Sequence, residues 1–475
     1  MICLQHLSLE NFRCFVECQI EFHPKLTVLV ARNGRGKTTI LDGIAGAFAP
    51  FIDALVHRKQ WKGFSQSDLR MSFREVLSPS TESEFGPIEL GEMISSEWHR
   101  VGALANIQGE NVSWEFQAQL SDTRYSSSRA WSRPLVQIAK ELEQQLTADT
   151  DAHVAPTRLP LLTYFHASRQ LTPATKIKAA AGRTTNDRFR GYINGLDAGS
   201  NYGAFIDWYM TMFRTLGSLG TGAKIAFDVS SRHQPAALLA AVNKAVDKVL
   251  QPATGWHGLH WEKGASQLML RHPKHGRLPL SFLSDGIRNA VALVADVAHR
   301  CARLNPEFGE DAPLETPGIL LVDEIDLHLH PEWQQSVISS LREAFPMLQL
   351  ILSTHSPQVI STVNSQSIRV LNSVEDISIA STPHFQTRGV RSADVLSAVM
   401  DVDPVPNVPE SELLSHYRAM IENGQSGTGA ATEMRSRLIE HFGELHPLIL
   451  DCDRLIRFTE FKRRRITPGG GNAET

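Results

Sequence analysis

The stretch VLVARNGRGKTTI, residues 28–40, decides the fold: an apolar run ends in a loop carrying Gly34 and Gly36, with Lys37 and Thr38 directly behind it. Glycine lacks the Cβ that would hold a backbone away from an anion. In such a loop successive N–H groups cradle phosphates, the lysine reaches the β- and γ-phosphates, and the hydroxyl of the next residue holds Mg2+. The pattern asks for glycine at its first position, where this chain has Ala31. At negative φ the extra methyl is harmless; at positive φ it carries strain of about 1–2 kcal/mol.

The flanks supply the context such a loop needs. LTVLVA (26–31) has the length of a strand buried on both faces. Ile40, Leu41, Ile44, Phe48, Phe51, Ile52 and Leu55 recur at helical spacing, and Pro50 is expected to kink or divide that helix. The helix presents its positive N-terminus to the anion.

Three later segments carry matching chemistry. In GILLVDEID (318–326) four apolar residues run into two acids: Asp323 is placed to orient Mg2+ and Glu324 to take a proton from an attacking water. In LSTHSP (352–357) His355 ends a buried strand, where it could polarise the γ-phosphate region. In FLSDGIRNA (282–290) Ser284 is a good N-cap, Asp285 lies in the first turn and Gly286 permits close backbone approach. That makes it a second helix N-terminus suited to a phosphate held by another subunit, or simply a helix start.

Bulk properties agree with a globular protein. The chain has 475 residues, 42% hydrophobic and 21% charged, enough for two or three domains. A net charge of −4 means that any nucleic-acid contact has to come from a local patch. No signal peptide and no apolar run of membrane-spanning length is read, and five cysteines without a close CxxC pair suit a reduced, cytoplasmic protein. Cys14 and Cys18 are expected as buried thiols and not as ligands of a shared metal.

The four motifs in order resemble the ABC-type ATPases, and LSLENFRCF (7–15) with LVDEIDLHLHPEWQ (321–334) resemble their RecF/SMC-like, OLD-related branch within the AAA-type family. NFRCF, ILDGIAGAFAPFIDAL, THSPQVISTV and the tail from RSADVLSAVMDVDPVP to LILDCDRLIRFTEFKRRR are similar to the PtuA-like ATPases of Septu-type and retron-associated antiphage systems. So is the 247-residue separation of Lys37 and Ser284 (284 minus 37), filled by globular sequence. The resemblance implies ATP and Mg2+ as ligands. Asn33, Gly34, Arg35, Gly36, Lys37, Thr38 and Thr39 would form the Walker A loop, Asp323 and Glu324 the Walker B end, and Leu283–Gly286 the signature. Asp326 would lie in the D-loop, His355 would be the switch histidine, and Gln170 the best candidate for the Q-loop residue, which also faces the metal. It further implies head-to-head dimers in which each signature caps the partner's ATP. Implied partners are an HNH nuclease of the PtuB kind held in check by the ATPase and, in retrons, a reverse transcriptase with its msDNA. A RecF-like repair ATPase acting on DNA directly is the alternative.

The implied architecture is α/β: an ABC-type P-loop head with a mixed sheet, split by a long insertion, plus a mainly helical C-terminal region. The expected divisions are 1–60 for the first part of the head and 61–170 for a β-rich part ending in the Q-loop region. Residues 171–262 follow as a mainly helical insertion, 263–385 as the second part of the head, and 386–475 as a helical region with a disordered tail.

Weaker signals remain. His328 and His330 would share a face if LHLHP were a strand, but a third metal ligand is not evident. Asp401 and Asp403 in MDVDPV, and Asp451 and Asp453 in LDCDR, look like nuclease acids without the fold context, so no nuclease is expected in this chain. Arg169, Lys176, Lys178, Arg183, Arg188 and Arg190, interleaved with Phe189 and Tyr192, read equally as a nucleic-acid patch or a solvated loop.

Overall fold

A computed structural model of the chain describes residues 2–61, 63–76, 90–121, 124–128, 132–148, 157–167, 187–197, 202–219, 235–264, 267–374 and 377–466. The first half contains β1 (Ile2–Phe12), β2 (Phe15–Glu21), β3 (Leu26–Val30), α1 (Lys37–Val56), β4 (Met71–Val76), β5 (Leu90–Ser95), β6 (Trp98–Ile107), β7 (Glu110–Ser121), β8 (Arg124–Ser128), α2 (Arg133–Ala148) and β9 (Leu161–Phe165). There follow α3 (Tyr202–Leu219), α4 (Pro235–Thr254), β10 (His257–Glu262), β11 (Gln267–His272), β12 (Gly276–Pro279), α5 (Asp285–Leu304), α6 (Ala312–Glu315), β13 (Gly318–Val322), α7 (Pro331–Gln334), α8 (Val337–Ala344), β14 (Leu348–Thr354) and α9 (Pro357–Ile360). The chain continues through β15 (Ile368–Val374), β16 (Ile377–Ser381), α10 (Ser392–Ala398), α11 (Pro409–Glu422), α12 (Gly429–Phe442) and α13 (Pro447–Ile466).

Eleven strands form one mixed sheet in the order β8-β7-β6-β1-β2-β16-β15-β3-β14-β13-β9. The half from β15 to β9 is parallel, and there β3, β13 and β14 are buried at every residue. This explains their unbroken apolar runs: a parallel sheet covered on both faces has no solvent side on which to alternate. The other half is largely antiparallel, and β1 does alternate. The buried Gln349 on β14 ties the halves together: its amide donates to the carbonyls of Leu4 and His23 and accepts from the Leu4 N–H.

α1 packs against β6 and β7 on one side and β9 and β14 on the other. Enclosed in this way it is apolar nearly all round. Among the described residues it is the one helix long and apolar enough to cross a membrane, contrary to the expectation that no such run exists, and it is mostly buried inside the fold. Pro50 does not divide it: the helix runs unbroken for 20 residues. Packing against these strands holds it together across the hydrogen bond that Pro50 cannot donate to the Gly46 carbonyl.

The chain divides into two compact units, Met1–Met400 and Asp401–Thr475. The second is a helical unit in which α11, α12 and α13 enclose their own core of Leu414, Tyr417, Ile421, Leu438, Ile449 and Cys452. The tail expected to be disordered, 467–475, lies outside the described residues.

Candidate functional site

The parallel register aligns the carboxyl ends of four strands: Val30 pairs with Thr354, Leu352 with Val322, and Val322 with Phe165. The loops that follow β3, β13, β14 and β9 therefore leave the sheet along one edge, where open α/β sheets hold their ligands. Ala31–Gly36, Asp323–Asp326, His355 and His166 are brought to that edge from four separate stretches of chain.

Gly34 and Gly36 adopt φ of +76° and +90°, and Gly36 is the N-cap of α1. A Cβ on Gly36 would lie 2.2 Å from the Phe15 ring, so both conformation and space require glycine there. Ala31 is absent from the left-handed region and is 7% exposed. Its methyl is accommodated, and the strain that positive φ would have brought does not arise. Cys14 also faces this loop, its Sγ 3.8 Å from Thr39 Oγ1. It is exposed, which corrects the expectation of two buried thiols; only Cys18 of the pair is buried, inside β2, while Cys14 sits in the turn before it.

Lys37 is 6% exposed and its Nζ donates to the Ala31 carbonyl at 3.0 Å. Burial lowers its pKa, against the opposing pull of Asp323, Glu324 and Asp326. Thr38 Oγ1 donates to Asp323 Oδ2 at 2.8 Å across 285 positions of chain. A hydroxyl and a carboxylate oxygen are hard donors of the kind Mg2+ takes, so the residues present fit that ion.

Ser353, which the sequence reading passed over, organises the acidic pair. Its hydroxyl donates to Asp323 Oδ1 at 2.5 Å and accepts the Glu324 N–H at 2.8 Å. Glu324 adopts φ of +49°, which turns the chain sharply at the strand end. Thr354 Oγ1 donates to Asp326 Oδ1 at 2.5 Å, and the His355 N–H reaches the same oxygen at 3.4 Å. The His355 ring has its pKa lowered by burial first and then by Lys37, which keeps it neutral at neutral pH. The Ser and Thr that precede His355 in LSTHSP were the available signal for both contacts.

Ser284 occupies the N-cap of α5, but its side chain makes no capping bond, contrary to the sequence reading; Asp285 instead pairs with Arg288. The Ser284 side chain is exposed, and Phe282 beside it is 78% exposed. A Cβ on Gly286 would stand 2.4 Å from the His328 carbonyl oxygen, so glycine there lets the first turn of α5 touch the loop after β13.

Gln170, with Arg169, Lys176, Lys178 and Arg183, lies outside the described residues. Arg188 is structural: it donates to the carbonyls of Leu304 and Thr157, to Asn305, and to Glu307 at 3.2 Å. Phe189 and Tyr192 are fully buried and cannot stack on bases. LHLHP is not a strand: His328 lies in a turn with φ of +62°, and His330 caps α7. No cluster of three metal-ligating side chains occurs among the described residues. Asp453 pairs with Arg435, Asp451 with Arg454, and Asp403 accepts the Val405 N–H.

Two family models and several known proteins match the chain. An AAA domain family model matches residues 6–201, and an AAA ATPase domain model matches residues 224–360. The Retron Vc95 probable ATPase of Vibrio cholerae serotype O1 biovar El Tor is 24% identical over 92% of this chain and 87% of its own length. The Retron Ec83 probable ATPase of Escherichia coli is 26% identical over 96% of this chain and 88% of its own. The Septu protein PtuA of Bacillus thuringiensis is 24% identical over 31% of this chain and 38% of its own. Among solved structures, the SMC head domain from Thermotoga maritima aligns with a TM-score of 0.40 at 15% identity, covering 81% of this chain and all of that one. Two stretches of the chain match AAA-type ATPase models, on an α/β fold with a large mixed sheet, and its relatives include retron probable ATPases and the Septu protein PtuA.

Proposed function

We propose, for a chain that matches two AAA-type ATPase models and has retron probable ATPases and the Septu protein PtuA among its relatives, that it binds ATP with Mg2+ at residues 33–39 and hydrolyses it as the ATPase subunit of an antiphage defence complex. The observation that carries the nucleotide reading is the Thr38–Asp323 contact of 2.8 Å beside the buried Lys37. It joins the two halves of the sequence pattern at one point, with hard oxygens for a metal and a cation for phosphate.

Bound MgATP supplies the electrophilic γ-phosphoryl group and the metal that neutralises its charge. The chain's own residues do the rest. The loop N–H groups from Asn33 to Thr39 hold the phosphates, and Lys37 turns from the Ala31 carbonyl to the β- and γ-oxygens. Thr38 and Asp323 would hold the metal. Glu324, at the end of β13, takes the proton of the attacking water, its backbone fixed by Ser353. Neutral His355 donates a hydrogen bond towards the γ-phosphate. Ser284, uncapped and exposed, with Gly286 behind it, is offered to a nucleotide on a second copy, so that hydrolysis needs two heads.

The output is a conformational change passed to a partner nuclease of the HNH kind and, in a retron, to a reverse transcriptase with its msDNA. ATP binding is tested by titrating a fluorescent ATP analogue into wild-type, Lys37→Ala and Asp323→Ala protein with and without Mg2+. Wild-type binding should weaken at least tenfold in Lys37→Ala, and Asp323→Ala should lose the Mg2+ dependence. Equal affinity in all three contradicts the site. Co-purification with the products of flanking genes, with and without ATP, tests the complex; no retained protein in either state would remove the defence role.

A further inference from the structure

The sheet of β10, β11 and β12 carries a basic row that the nucleotide site does not use. Leu259, Leu268 and Leu270 are buried on one face, and the alternate residues lie on the other, where Arg271 and Arg277 are exposed. On it His257 is the cross-strand partner of Arg271, and Arg271 the partner of Arg277. Like charges directly opposite on neighbouring strands destabilise a sheet. Here the Arg271–Arg277 pair is not relieved: the chain has no Asp or Glu from Lys263 to Ser284, and neither arginine has an ion-pair partner among the described residues. The exposed Lys274 adds a third permanent cation at the turn between β11 and β12.

The turn is also held in shape. His272 Nδ1 accepts the N–H groups of Lys274 and His275 at 3.0 and 3.2 Å. The His275 ring lies 4.5 Å from that of His272, tilted by 33°, and stacks on the Trp256 ring at 6.2 Å and 19°. Cations on an ordered turn lose less freedom on binding than cations on a loose one. Arg271 and Arg277 stand one strand spacing apart, about 5 Å, and Lys274 lies three residues from each along the hairpin, about 10 Å away, a reach that matches a few consecutive backbone phosphates of a nucleic acid. A net charge of −4 over the whole chain makes this acid-free hairpin a local feature of the surface.

We infer that the β11–β12 hairpin binds the phosphodiester backbone of a nucleic acid through Arg271, Lys274 and Arg277. β12 runs through Leu280–Phe282 directly into Ser284, so the bound strand would lie next to the signature segment. The inference does not rest on the ATPase reading, and the test omits nucleotide so that the two can fail separately.

The test is fluorescence anisotropy of labelled 30-mers titrated with the full chain: single-stranded DNA, duplex DNA and single-stranded RNA, at several salt concentrations, with vesicles of phosphatidylserine and phosphatidylcholine as a parallel arm. Three phosphate contacts predict a slope of log affinity on log salt near about −2 for a single strand or about −3 for duplex. Arg271→Gln/Lys274→Gln/Arg277→Gln should bind at least about tenfold more weakly at 100 mM salt and lose most of that slope. Lys274→Glu, a single change on an exposed turn, should weaken binding on its own, with melting temperatures confirming that both variants fold. The inference is overturned if the triple variant binds as wild type does, if wild type binds none of the three oligonucleotides, or if it binds the vesicles and no oligonucleotide.

Discussion

At the scale of single residues the site is arranged by small contacts. Ala31 illustrates how a departure from a pattern is harmless where the geometry allows it. The backbone there is outside the left-handed region, so glycine would bring only extra freedom in the unfolded chain. Ala31→Gly is therefore expected to lower stability by about 0.5–1 kcal/mol and to leave ATP affinity unchanged, measured by thermal melting and nucleotide titration. A rise in either quantity would mean that the methyl strains the loop. Ser353 works in the opposite sense, as a residue with no place in the sequence pattern that holds two that have one. Ser353→Ala removes the hydroxyl from Asp323 and from the Glu324 N–H. ATP turnover should fall about tenfold or more while nucleotide still binds, since a lost hydrogen bond to a charged group is worth about 1.5–3 kcal/mol. Unchanged turnover would show that the acids are held some other way.

Among the elements, β3, β13, β14 and the first turns of α1 and α5 were legible in the sequence. Each combines a buried apolar run or periodic face with a glycine or a capping residue at its end. What was not legible depends on tertiary partners. Pro50 marks a helix break in any isolated segment; only the packing of α1 between two parts of the sheet explains its continuity. Arg188 carries the same charge whether it meets DNA or the carbonyls that it does meet.

α5 contains a feature with a pH signature. Asp296 is buried, and although burial favours its neutral form, the Arg300 guanidinium 2.7 Å away holds its pKa below the usual carboxylate value. His299, one turn along and packed on Trp208, is pushed by burial from 6.5 down to about 4. The unfolded chain therefore binds this proton first as pH falls, so stability is lost between about pH 6.5 and 4. His99, also lowered to about 4 by burial, acts in the same direction elsewhere. Melting temperature should drop across this window, and His299→Leu should make the drop smaller by the equivalent of about 1–3 kcal/mol. An equally steep fall in the variant would show that His299 does not titrate with folding.

For the whole molecule, the central feature is that one site is assembled from stretches almost 300 positions apart in sequence, Thr38 and Asp323, through the order of strands in one sheet. The strand order could not be read beforehand, whereas the chemistry at the strand ends could. The two family models fall on separate stretches, residues 6–201 with Thr38 and 224–360 with Asp323. The central claim is that this assembled edge hydrolyses ATP with Glu324 as base. Its most direct test is steady-state phosphate release from the purified full-length chain with Mg2+ and ATP, compared with Glu324→Gln. Wild type should turn over, and the variant should bind ATP normally while its rate falls by about 10²–10⁴-fold, the usual contribution of a positioned base. Equal rates in the two proteins, or no turnover by either, would contradict it.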